Sequence, residues 1–119
     1  MIKIQRIYEL NSNDNLENNA IRILVDRLWP RGISKEKAKI DIWAKEIAPS
    51  NELRKWFNHD ETKFKEFEEK YIKELNLNDY AIKFKKEYEN KNLILLYSAK
   101  DTIHNNAIVL KNWLISEKD

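Results

Sequence analysis

A single α/β domain over residues 1–119, small and three-layer-like, with a short, mostly parallel sheet flanked by helices, is the fold this sequence predicts. Three observations predict it. Two stretches, 2–8 and 21–28, carry the branched apolar residues typical of strands. A third, Asn92 to Ala99, is an unbroken apolar run bounded by polar residues, as a central parallel strand buried on both faces requires. Between and beyond them lie segments with apolar residues at helical spacing, each introduced by a residue able to cap a helix.

Residues 2–8 alternate apolar with polar, the period of a half-buried strand near an edge. Asn11 to Asn19 is crowded with Asn, Asp and Ser, which bond to their own backbone, so a polar surface loop is expected there. The second strand, 21–28, carries Asp26 and Arg27 at its C-terminal end. Pro30 biases Trp29 towards an extended conformation and Gly32 permits a left-handed one, so a sharp turn follows. Ser34 caps a short helix through Lys39. From Ile40 to Ile47 the pattern fits a strand or a helical turn equally well. Ser50 then caps a helix bearing Leu53, Trp56 and Phe57. Asp60 caps one whose Phe64, Phe67, Tyr71 and Leu75 share a face, and Asn78 caps one with Ala81, Phe84 and Tyr88. After the strand at 92–99, Asp101 is the expected N-cap of a last helix carrying Ile103, Ala107, Leu110 and Leu114, which puts His104 at its third position.

Composition removes several function classes. There is no cysteine, so a thiol nucleophile, a disulfide framework and a cysteine-ligated zinc site are excluded. The chain holds 22 basic and 20 acidic residues, spread evenly, and no basic block marks a nucleic-acid footprint. No apolar run approaches membrane-spanning length and no signal-peptide core is visible, so a cytoplasmic location without a membrane partner is expected. With a single glycine there is no G-x-G-x-x-G or Walker loop, and no cofactor is expected. Two histidines at no diagnostic spacing, with Asp26, make weak metal ligands, and no metal is expected either. Ser98 lacks the flanking glycines of a nucleophile elbow.

The chemistry-bearing residues concentrate in two stretches. Of five arginines in a lysine-biased chain, Arg22, Arg27, Arg31 and Arg54 fall within one third of its length, and guanidinium grips carboxylate or phosphate bidentately where ammonium cannot. Helices between the strands at 21–28 and 92–99 imply a right-handed parallel crossover. The C-terminal ends of both strands then share one sheet edge, and Asp26 and Arg27 face the same crevice as Ser98, Lys100, Asp101 and His104. An anion is expected at the start of the last helix.

The runs Arg-Ile-Leu-Val-Asp-Arg-Leu-Trp-Pro-Arg-Gly-Ile-Ser-Lys-Glu at 22–36, Ala-Pro-Ser-Asn-Glu-Leu-Arg-Lys-Trp-Phe-Asn-His-Asp at 48–60 and Leu-Leu-Tyr-Ser-Ala-Lys-Asp-Thr-Ile-His-Asn-Asn-Ala at 95–107 closely resemble the YeaO-like family of small bacterial proteins, domain of unknown function 488. The resemblance covers nearly the whole chain. It implies a compact α/β domain with the three motifs at one site, and it brings no established reaction. Other branches of that family carry a Cys-rich pattern with Cys-His-Arg where this chain has His-Asn-Asn, so thiol chemistry does not carry over.

Two functional readings follow. In the first, a small enzyme acts on an anionic or phosphorylated small molecule: Arg27, Arg31 and Lys100 hold the anion, and His104 or Asp26 moves a proton. In the second, the same basic edge is a non-catalytic binding module for a nucleotide, nucleic acid or protein, with Trp29 stacking on a ring. His59, Asp101, Asn105 and Asn106 are further ligand-binding candidates, the two asparagines because they are poor helix formers whose amides seek partners. Each residue also has a plainer reading: Asp26 and Arg27 as a salt-bridged pair, Trp29 as a packing anchor, His59 as a partner of Asp60. Oligomeric state leaves no mark in the sequence.

Overall fold

Among the described residues four strands, β1 (Ile2–Arg6), β2 (Ile21–Leu24), β3 (Ile42–Trp43) and β4 (Leu93–Tyr97), pair in parallel in the order β1-β4-β2-β3. The structure is a computed structural model and describes residues 1–10 and 19–116. The polar loop expected from Asn11 to Asn19 lies outside the described residues, except for Asn19. The apolar run of β4 is explained by its place: it has a strand on each side and every residue is buried. Its side chains alternate, Leu93, Leu95 and Tyr97 entering one core and Ile94 and Leu96 the other. Likewise Ile23 and Val25 point to the first core and Leu24 to the second.

Among the described residues five helices, α1 (Lys35–Ala38), α2 (Asn51–Phe57), α3 (Phe64–Asn76), α4 (Asp79–Glu87) and α5 (Asn106–Ile115), cover the faces. The sequence names three of their caps correctly: Ser34 Oγ accepts from the Lys37 N–H, Ser50 Oγ from Leu53, and Asn78 Oδ1 from Tyr80 and Ala81. Asp60 caps a 3-10 turn, Glu61–Lys63, that runs straight into α3. On the first face α2, α3, α4 and α5 bury Phe57, Phe67, Tyr71, Ala81 and Leu110, with Phe57 and Phe67 stacked 4.2 Å apart. Among the described residues the helical cover of the second face is α1 and the 3-10 turn Ile7–Glu9, which supply Ala38 and Ile7.

Several boundaries move. The first strand stops at Arg6 rather than Tyr8, and the second at Leu24 rather than Leu28, although the Val25 N–H still donates to Leu96 O. Beyond Val25 the backbone serves side chains: Trp43 Nε1 donates to the Asp26 carbonyl at 2.8 Å. The ambiguous stretch 40–47 holds both options, the two-residue β3 and then a 3-10 turn, Lys45–Ile47. Asp101 is not the cap of the last helix. Asn105 is: its Oδ1 accepts from the Ile108 N–H and its Nδ2 donates to the Asp101 carbonyl, which satisfies a side chain only 1% exposed. Asp101 instead closes the preceding turn by accepting the N–H groups of Ile103 and His104. His104 therefore precedes the cap and lies outside the helix. No helix among the described residues is long and apolar enough to cross a membrane.

The topology singles out one place. The chain leaves β2 for α1 on the second face and leaves the adjacent β4 for α5 on the first. Connections departing in opposite directions from neighbouring parallel strands open a crevice at the strands' carboxyl ends.

Candidate functional site

Asp26 forms the floor of that crevice. One carboxylate oxygen accepts from the Ser98 N–H at 2.9 Å and from Ser98 Oγ at 2.7 Å; the other accepts from Asn106 Nδ2 at 3.1 Å. The same Asn106 amide donates to Val25 O at 2.9 Å. The ends of β2 and β4 and the first residue of α5 are thus tied to one carboxyl group. Burial raises the pKa of Asp26, opposed by the bonds from Ser98 and Asn106 and by the nearby His59.

Above this floor lies a cleft of about 360 Å³. Its walls come from the turn Leu28–Arg31, from Arg54 and Phe57 on α2, and from His59 just beyond it. The cations differ in how far the fold has engaged them. Arg27 Nε donates to Pro49 O and its Nη2 to Ala48 O, so this guanidinium braces the loop before α2; no ion pair joins it to Asp26. Arg31 is exposed, and its guanidinium has no partner among the described residues, while its carbonyl accepts from Tyr8 Oη and so fixes the turn. Arg54 Nη2 donates to Asn51 Oδ1, but its Nε–H is buried with no acceptor. His59 has φ +56°, directly after Asn58 at +47°. A left-handed histidine is strained, and such strain concentrates at functional positions. Asp60, its suspected partner, instead bonds Thr62.

His104 lines the cleft on another side. Its Nδ1 lies 2.9 Å from Asp101 Oδ2 and 3.7 Å from Glu61 Oε2, and Phe64 meets the ring edge-on at 5.2 Å. The backbone N–H groups of His104 and Ile103 and the imidazole hold the Asp101 pKa down to about 2, so this carboxylate stays charged and fixes the ring. Glu61, Asp101 and His104 each bring one donor atom within 4.8 Å of the others, the grouping among the described residues best able to hold a cation.

The family model described as "Inactive DUF488-N3 subclade" matches residues 1–119. The chain belongs to this DUF488 family. It is 43% identical over 116 residues to the uncharacterised protein YeaO of Escherichia coli (strain K12), covering 97% of both chains. It is also 41% identical over 75 residues to an uncharacterised protein of Mycobacterium tuberculosis (strain ATCC 25618 / H37Rv), 63% of this chain and 60% of that one. No solved structure matches.

In this DUF488 chain the cleft gathers Asp26, Arg27, Trp29, Arg31, His59, His104, Asn105 and Asn106 from segments far apart in sequence. Lys100 and Asp101 do not line it: Lys100 is exposed beside the turn, and Asp101 acts through His104. Trp29 lines the cleft and is also a packing anchor, edge-on to Trp43 at 5.3 Å with Nε1 donating to Ile33 O. Sequence reasoning missed Arg54 as a site residue, along with Tyr8, Phe57 and Phe67. The clustering of arginines was the signal for Arg54; the aromatics carried none, because their helical spacing reads as core.

Proposed function

We propose that this protein is a non-catalytic binding module for a small anionic molecule, held in the cleft by Arg31, Arg54 and His59. The observation that carries the reading is the buried Arg54 Nε–H without an acceptor. Leaving a charged donor unpaired away from water costs about 1–3 kcal/mol or more, a cost that an oxyanion would remove once the Arg54 side chain turned this edge of its guanidinium into the cleft it lines. Arg31, unpartnered across the same cleft, would supply a second fork. The cations are gathered in one concavity, which favours a small anion over an extended nucleic acid.

Binding without turnover is supported by what the acid–base groups already do. Both oxygens of Asp26 serve the fold, and the matching family model is described as inactive. Isothermal titration calorimetry with inorganic phosphate is the test. Arg54→Leu should weaken binding at least tenfold, or 1.4 kcal/mol, while leaving the phosphate-free melting temperature unchanged or higher. Equal affinity in the variant, or no binding by the native chain, refutes the reading.

A second reading has its own observation. The Asp101–His104 pair, with a fixed Nδ1, is the arrangement that presents Nε2 for proton transfer in an enzyme acting on the same anion. Phosphate release from a monoester, abolished by His104→Ala, would favour it over pure binding.

A further inference from the structure

The cations are only part of the cleft lining. Leu28, Trp29, Pro30, Phe57 and Phe67 also face it, and Leu28 is 57% exposed although it lies three residues beyond the buried Val25. Among the described residues the only acidic side chain in the lining is Asp26, whose oxygens are occupied. A tetrahedral oxyanion alone needs no apolar wall and fills a small fraction of about 360 Å³. A cavity of this volume, lined by aromatic and aliphatic groups with a few convergent donors, has the size and chemistry of a site for an organic molecule.

Resting on the anion reading, we propose that the ligand is a phosphate monoester with a flat apolar body. The phosphate pairs with Arg54 and Arg31, and the body lies against Leu28 and its neighbours in the turn. Two guanidinium groups suit the dianion of a phosphate monoester better than a single carboxylate, because its three terminal oxygens can be divided between two cations whereas one fork already fills a carboxylate's two. The apolar wall gives affinity to the body through the area it removes from water, without a directional demand.

The test is calorimetric titration of the native chain with inorganic phosphate, phenyl phosphate and benzoate. Phenyl phosphate should bind at least tenfold more tightly than inorganic phosphate and than benzoate. In Leu28→Ser, chosen because this exposed side chain contributes little to the core, the advantage of phenyl over inorganic phosphate should fall severalfold while inorganic phosphate binds unchanged. Phenyl phosphate no tighter than inorganic phosphate overturns the apolar body and leaves the anion reading standing. Benzoate equal to phenyl phosphate overturns the phosphate head. An unaltered phenyl advantage in Leu28→Ser overturns the placement of the body, and no binding by any of the three overturns the anion reading as well.

Discussion

Replacing Asp26 by alanine removes the acceptor for three donors at once: the Ser98 N–H, Ser98 Oγ and Asn106 Nδ2. Their losses are unequal. Asn106 keeps its bond to Val25 O, and the Ser98 hydroxyl can rotate towards the cleft, so the Ser98 N–H suffers most. An unsatisfied donor costs about 1–3 kcal/mol, and relief of the carboxylate's desolvation returns part of it. The net loss should be about 1–2 kcal/mol. With a urea m-value of ~1–3 kcal/mol/M, the unfolding midpoint should fall by roughly 0.5–1 M. Asp26→Asn sharpens the test, because the new amide can accept from Ser98 only by turning its own NH₂ towards the Asn106 NH₂, and about 1 kcal/mol should still be lost. The pH dependence has a defined sign. The folded pKa of Asp26 is raised, so its contribution is fully present below the unfolded value near 3.8 and is lost as pH rises through the folded pKa. The native chain's advantage over Asp26→Asn should therefore grow on acidification. A loss under about 0.5 kcal/mol for alanine, or an asparagine variant as stable as the native chain, would refute the idea that this carboxylate pins the two strands to α5.

Further variants probe other parts of the molecule. His59→Gly should relieve left-handed strain, raise the melting temperature by about 2–4 °C and weaken phosphate binding, opposing effects that a merely structural histidine would not combine. Asn105→Ala removes the α5 cap and the donor to the Asp101 carbonyl, and thermal unfolding should report a loss of about 2 kcal/mol. Tyr71→Phe leaves the buried Ile47 carbonyl without its 2.6 Å partner and should cost about 1–2 kcal/mol in urea unfolding. Carboxyl NMR should find Asp101 titrating at about 2. Because that pKa is depressed, its contribution to stability is present above about 3.8 and disappears as pH falls through the folded value.

The legible parts of this fold were those where one local rule acts alone. An unbroken apolar run belongs to a strand buried on both faces, and β4 is such a strand. Ser50 and Asn78 cap as expected, each side-chain oxygen accepting first-turn N–H groups of its helix. The last helix misled because two residues there, Asp101 and Asn105, are both good caps, and the outcome turned on tertiary burial: Asn105 is enclosed against the core while Asp101 is drawn to the histidine. Residues 40–47 stayed ambiguous because two residues of strand followed by one turn of 3-10 helix leave too short a period to read. Convergence of Asp26 with Ser98 followed from topology alone. The contribution of Arg54 did not, since its place on the cleft depends on how α2 packs, which no spacing in the sequence encodes.

The strand order has a consequence for synthesis. β1 and β2 are consecutive in the chain yet never touch; the strand that joins them, β4, begins only at Leu93. A nascent chain emerging from its N-terminus therefore carries two unjoined strands, each with open backbone groups along the side that β4 will fill, until the last quarter has been made. Insertion of that final strand completes the sheet and, in the same step, brings Ser98 to Asp26. The cleft and the finished fold come into existence together, so a chain stalled before Leu93 holds Asp26, Arg27, Arg31, Arg54 and His59 but lacks the strand end that ties Asp26 in place beneath them.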